Sequence, residues 1–144
     1  MNFLANSKLA RVEPAAAAGQ TTLTSDVVDM KSFDAVTFIA LLGDVTDTSV
    51  LTLQAQQGDQ SDGSDATNLA GVAASFTADP TNADDNMLAV EVARPTKRFV
   101  RVTLTRATAN AAVDGIIAIQ SNPAEAPVTQ DASVLATDFA LSPT

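Results

Sequence analysis

Carboxylates and guanidinium groups are the side chains of this 144-residue chain best placed to do chemistry, because it contains neither histidine nor cysteine. Without histidine it lacks the usual general base and the commonest transition-metal ligand. Without cysteine there is no thiolate for nucleophilic attack, no zinc–thiolate site and no disulfide. A serine nucleophile would need another base, and neither a Gly-x-Ser-x-Gly elbow nor a Ser-x-x-Lys pair occurs. No glycine-rich phosphate loop is present. Asp84 and Asp85 are neighbours, so on a strand they face opposite ways and cannot form the spaced carboxylate pair of a glycosidase. With every catalytic role unfilled, no enzyme is expected, and no cofactor either.

One metal candidate remains. Asp59, Asp62 and Asp65 lie three apart around Gly63, and carboxylates so spaced can converge on a hard cation such as calcium. The spacing departs from an EF-hand loop, which takes ligands at alternate positions and ends on a glutamate. A solvated acidic turn is the plainer reading of the same residues.

The charge balance narrows the partners. Seventeen acidic and eight basic residues give a net charge of −9, which argues against nucleic acid, since that partner needs a basic footprint. Five of the eight basic residues, Arg94, Lys97, Arg98, Arg101 and Arg106, fall close together. They read either as the polar face and solvated turn of a sheet or as a docking patch for an acidic surface. The start of the chain lacks the pattern of a signal peptide, and the longest apolar run, 35–42, is far too short to span a bilayer, so no membrane partner is expected.

The elements that must position these groups are strands. The chain is rich in alanine, valine and threonine and has six phenylalanines but no tryptophan or tyrosine, a composition suited to pleated sheets. In 87–93, Leu88, Val90 and Val92 alternate with Met87, Ala89 and Glu91; in 99–105, Val100, Val102 and Leu104 alternate with Arg101, Thr103 and Thr105. This period of two marks half-buried strands. With Arg94-Pro95-Thr96-Lys97 as a turn, the two read as a hairpin. One register that keeps both apolar rows on one face sets Val92 opposite Val100 and Glu91 opposite Arg101. Ala35 to Leu42 and, apart from Asp114, Val113 to Ile119 are apolar on both faces and read as interior strands. Further strands are expected over 21–30, 50–57 and 69–77, with acidic loops at 58–68 and 79–86. Residues 1–20, with a possible short edge strand at Lys8 to Val12, and the proline-punctuated stretch 122–144, which includes Pro143, read as extended arms around a central domain of residues 21–121. The expected architecture is all-β: an antiparallel β-sandwich, jelly-roll-like, of seven or eight short strands.

The arms carry apolar residues poorly suited to free tails, namely Phe3, Leu4, Leu9, Val134, Leu135, Phe139 and Leu141. With the five basic residues above, they form the expected set of contacts to other subunits.

Several strings also carry a resemblance. Val27-Val28-Asp29-Met30-Lys31-Ser32-Phe33-Asp34-Ala35-Val36, Gln54-Ala55-Gln56-Gln57-Gly58, Arg94-Pro95-Thr96-Lys97-Arg98-Phe99-Val100-Arg101, Arg106-Ala107-Thr108-Ala109-Asn110-Ala111, Asp114-Gly115-Ile116-Ile117-Ala118-Ile119-Gln120 and Pro127-Val128-Thr129-Gln130 together resemble a group of small tailed-bacteriophage virion proteins that accompany major capsid proteins. Some of these are cement, or decoration, proteins of the head. The resemblance spans about Ser7 to Pro143 and brings no catalytic residues. It implies a non-enzymatic protein, made in the host cytoplasm, that binds the capsid surface of the virion and stabilises contacts between major capsid subunits, with a homotrimer favoured. A head–tail connector or tail ring component is the alternative role, and a glycan- or receptor-binding module a third, disfavoured by the lack of tryptophan and tyrosine platforms.

Overall fold

The computed structural model describes residues 2–80 and 83–142. The second acidic loop, expected at 79–86, is described except for Thr81 and Asn82, and Pro143 also lies outside the described residues. A short helix, α1 (Phe3–Asn6), precedes ten strands: β1 (Ser7–Glu13), β2 (Ala16–Gly19), β3 (Leu23–Thr24), β4 (Val28–Asp29), β5 (Phe33–Val45), β6 (Val50–Gly58), β7 (Thr67–Thr77), β8 (Met87–Ala93), β9 (Phe99–Ala107) and β10 (Ala111–Pro123). They form two antiparallel sheets. The first runs β1-β10-β5-β8, with β2 also on β10; the second runs β3-β9-β6-β7, with β4 also on β9. Taking β1 with β2 and β3 with β4 as two interrupted edge strands gives four strands per sheet. Pairing of first with eighth, second with seventh, third with sixth and fourth with fifth traces the folded ribbon of a jelly roll, and third with eighth and fourth with seventh join the ribbon into its two sheets.

Alternation builds the core. Val36, Phe38, Ala40 and Leu42 of β5 and Ile116 and Ala118 of β10 face Leu51, Leu53 and Ala55 of β6 and Val100, Val102 and Leu104 of β9 across the sandwich. The two expected interior strands, 35–42 and 113–119, do lie inside a sheet, paired to each other at Ile39↔Ile117 and Phe38↔Ala118.

The expected hairpin is overturned. β8 pairs with β5 in the first sheet, so Val92 lies opposite Val36 and Glu91 opposite Thr37. β9 lies in the second sheet, where Val100 meets Gln57 and Arg101 meets Gln56. The inner rows of both strands still face one core, which is all that the alternation records. Between them Arg94-Pro95-Thr96-Lys97 carries the chain from one sheet to the other, with Arg94 at φ +51.

Residues 7–19, expected as an arm with a possible edge strand at Lys8 to Val12, are built into the first sheet throughout: that edge strand is β1, which pairs with β10 from Ser7↔Ser121 to Glu13↔Ile116, and the alanine run, expected as a flexible connection, becomes β2. The strand expected over 21–30 is broken at Ser25. There the hydroxyl accepts from Val102 N at 3.0 Å, while Ser25 N donates to Val102 O at 2.9 Å. A side chain thus replaces one rung of the ladder.

Phe38 is fully buried. Phe38→Ala should lower stability by about 3–5 kcal/mol, read as a fall in urea midpoint at unchanged slope.

Candidate interaction surfaces

The outer faces of the two sheets differ in kind. On the second sheet, Thr52, Gln54 and Gln56 of β6 lie beside Arg101, Thr103 and Thr105 of β9 and Ser75 of β7. These side chains bond to one another: Thr52 Oγ1 and Ser75 Oγ are 3.0 Å apart, Arg101 Nε donates to Gln56 Oε1 at 2.9 Å, and Gln56 Nε2 donates to Asn68 Oδ1 at 2.9 Å. The face is made for water.

The first sheet is the opposite. Its outward residues fall in cross-strand rows: Leu9–Ile119–Thr37–Glu91, Arg11–Ile117–Ile39–Ala89, and Leu41–Met87 beyond them. Leu9, Ile39, Ile117 and Ile119 are half-buried, Leu41 is exposed, and Met87 is 63% exposed. Contiguous apolar surface of this kind on a small domain marks a contact site. Of these residues only Leu9 stood among the sequence-derived contacts. The signal for Ile39, Leu41, Ile117 and Ile119 was present, since 35–42 and, apart from Asp114, 113–119 are apolar on both faces, and a two-layer sandwich covers only one of them.

The C-terminal stretch divides into a strap and a tail. The strap follows the free edge of β1 and satisfies its backbone with side chains: Leu9 N donates to Gln130 Oε1 at 2.7 Å, Arg11 N donates to Ser133 Oγ at 2.9 Å, and Gln130 Nε2 donates to Leu4 O and Ser7 O at 2.9 and 2.8 Å. Val128 N adds a bond to Ala5 O at 2.9 Å. Val134 then forms one wall of an apolar groove of about 300 Å³, with Leu9 and Ile117 on the others. Beyond it Leu135, Phe139 and Leu141 are 95%, 54% and 82% exposed. Of the expected N-terminal contacts, Phe3 is exposed and Leu4 half-buried on α1.

The basic cluster is dispersed. Arg98 forms a two-pronged pair with Asp29 at 2.7 and 2.8 Å, and its guanidinium lies 5.0 Å from the Phe99 ring centre. Lys97 pairs with Asp59 at 2.8 Å. Arg94, also exposed, lines a shallow depression with Lys31 and Asp34. Arg106 is no surface contact at all: it is 3% exposed. Its guanidinium donates to Thr21 O, Ala17 O, Ala111 O and Thr21 Oγ1 at 2.7–2.9 Å. It therefore clamps the crossover between β2 and β3 onto the start of β10.

The three loop aspartates do not converge. Asp65 accepts from Asp59 N and Gln60 N at 2.8 and 3.0 Å, Asp62 accepts from Ser64 N at 2.9 Å, and Asp59 is turned to Lys97. Among the described residues no group of three or more acidic side chains is placed to hold a metal ion. No helix among them is long and apolar enough to cross a membrane. No protein-family model and no curated protein matches the chain.

Hydrogen bonds set the acid response. The Arg98 guanidinium holds the Asp29 carboxyl below its usual range, the Asp59 and Gln60 amides do the same for Asp65, and Ser133 does so for Asp131. Burial, with Asp26 adding to it, pushes Glu13 the other way. Carboxyls depressed in the folded chain bind fewer protons there than in the unfolded chain, so their contribution is complete above the unfolded value of about 4 and is lost as pH falls through the folded values. The urea midpoint should therefore hold steady from neutral pH to about 5 and fall below about 4. Asp29→Asn should flatten part of that fall, and a midpoint as steep in the variant as in the parent would refute the assignment.

Arg106→Ala leaves three carbonyls without their charged donor. It should cost about 3 kcal/mol or more, well beyond Arg98→Ala at the exposed ion pair. Thermal melts of the two variants measure the difference.

Proposed function

We infer that this chain is a non-enzymatic assembly protein that docks through the outer face of its first sheet, and that its partner is the major capsid protein of a tailed bacteriophage. The observation that carries the reading is the contrast between the two outer faces. A sandwich exposed to water on both sides needs polar residues on both, as the second sheet has. The first sheet instead presents Ile39, Ile117, Ile119, Leu41 and Met87, a surface suited to lying flat on another protein.

The partner comes from the resemblance to phage virion proteins that accompany major capsid proteins. A cement protein needs a stiff body and a contact surface wide enough to bridge shell subunits. Binding only to the assembled shell stabilises it by linkage. A closed trimer seated at positions of local threefold symmetry matches that geometry. Synthesis would be in the host cytoplasm, and the working location the outer surface of the head.

The test is decoration of heads stripped of this protein. Ile39→Lys combined with Ile117→Lys should leave the body folded, because both side chains point outward, and should reduce head binding at least tenfold. Thr52→Lys combined with Thr105→Lys, on the polar face, should bind as the parent does. Equal binding by both variants would remove the docking face. Hundreds of copies per virion on a quantified gel fit decoration; a single ring's worth would turn the reading to a connector.

A further inference from the structure

The open side of the sandwich and the chain's own C-terminal tail fit each other. β8 ends the first sheet and β7 ends the second, and among the described residues no strand pairs with the outer edge of β8. Between the two edges lies a mostly apolar cleft of about 370 Å³ lined by Leu42, Phe76, Met87 and Leu88, with Asp85 and Asn86 also on its wall. The β1 edge, at the other side of the same sheet, is covered by the strap. Among the described residues the β8 edge has no such cover. An uncovered edge with apolar flanks invites an added strand.

The tail has the pattern of that strand. After Val134 the residues alternate, with Leu135, Thr137, Phe139 and Leu141 on one side and Ala136, Asp138, Ala140 and Ser142 on the other. Seven extended residues span ~20 Å, the length of β8. The tail leaves its own body from the β1 side, three strand positions from β8, and its apolar residues remain exposed there.

We propose that residues 135–142 of one copy add as an antiparallel strand to the β8 edge of a second copy. Setting Phe139 opposite Leu88 places Thr137 opposite Val90 and Leu135 opposite Val92. The apolar row of the tail then prolongs the inner row of β8 and closes the cleft over Phe76. Ala136 falls opposite Glu91 on the outer face.

Buried area decides the form of the assembly. One tail with three large apolar side chains covers on the order of 400–500 Å² of its host, about half of what each partner contributes to a standard stable interface. A reciprocal exchange between two copies, each giving one tail and receiving one, reaches that size. Because donor and acceptor surfaces differ, each tail contact is heterologous; copies that pass their tails onward around a closed set form a ring instead, with one tail per interface. The inference concerns copies of this chain alone and stands apart from the capsid partner.

The lack of cysteine makes the test clean. Glu91→Cys combined with Ala136→Cys should oxidise to disulfide-linked multimers in the purified chain, while Thr105→Cys with Ala136→Cys should not. Removing residues 135–144 should reduce the sedimenting mass to that of one chain without lowering the melting temperature of the body by more than a few degrees. A disulfide formed within a single chain would mean that the tail serves its own body and would overturn the proposal. So would a parent protein that sediments as a monomer at high concentration, or linked multimers that form equally with the Thr105 control.

Discussion

β5 and β10 pair with each other at the middle of the first sheet and carry large apolar residues on both faces. A two-layer sandwich can bury only one of those faces. Ile116, Ala118, Phe38 and Ala40 fill the core; Ile117, Ile119 and Ile39 are left on the far side. Burying a side chain of that size is worth about 1.5–3 kcal/mol, so a row of them facing water is a standing driving force for contact. The second sheet has no such row, because its outward positions are threonine, glutamine and serine that bond among themselves. The fold is thus satisfied on one side and unsatisfied on the other.

Strand identity was legible in the sequence because a period of two survives any sheet assignment. Sheet assignment was not legible. Val90 and Val92 face the core, and so do Val100 and Val102, but a row facing the core can belong to a hydrogen-bonded neighbour or to a strand across the sandwich. Among the described residues, β6 to β7 is the one consecutive pair of strands that forms a hairpin, while the other connections cross between sheets or continue an interrupted edge. The same limit explains Arg106. Its position at the end of an alternating strand marks it as inward, but three carbonyls from distant segments make that position tolerable, and no local pattern announces them. Ile39 and Ile117 were legible in principle. Runs apolar on both faces say that both faces are covered, and in a two-layer fold the second cover must come from outside the sandwich.

The two edges of the first sheet show two answers to one problem. An exposed edge strand offers unpaired backbone groups to any passing chain. At β1 the strap answers with side chains, Gln130 alone engaging Leu9 N, Leu4 O and Ser7 O. Such capping satisfies hydrogen bonds without adding a strand, so it blocks pairing on that side. At β8 the flanking residues are small or apolar, Met87, Ala89 and Ala93 with the single charge of Glu91, and nothing comparable caps them among the described residues. The sheet therefore has a closed side and an open side, and the tail emerges at the closed one.

This polarity links the two surfaces. A strand added at β8 has an inner row, which meets the cleft beside Phe76, and an outer row, which continues the plane of Met87 and Ala89. With Ala136, Asp138 and Ala140 in that outer row, the apolar face of one copy would run on across the junction with small side chains and a single charge. The contact that joins copies and the face left for a larger partner are then opposite sides of the same strand. Assembly of copies would extend the docking plane rather than compete with it, because no residue is asked to serve both contacts. In that arrangement Leu135 and Phe139 would turn inward to the neighbouring copy, whereas Ile39 stays outward on the docking face, with Ile117 beside Val134 of the strap.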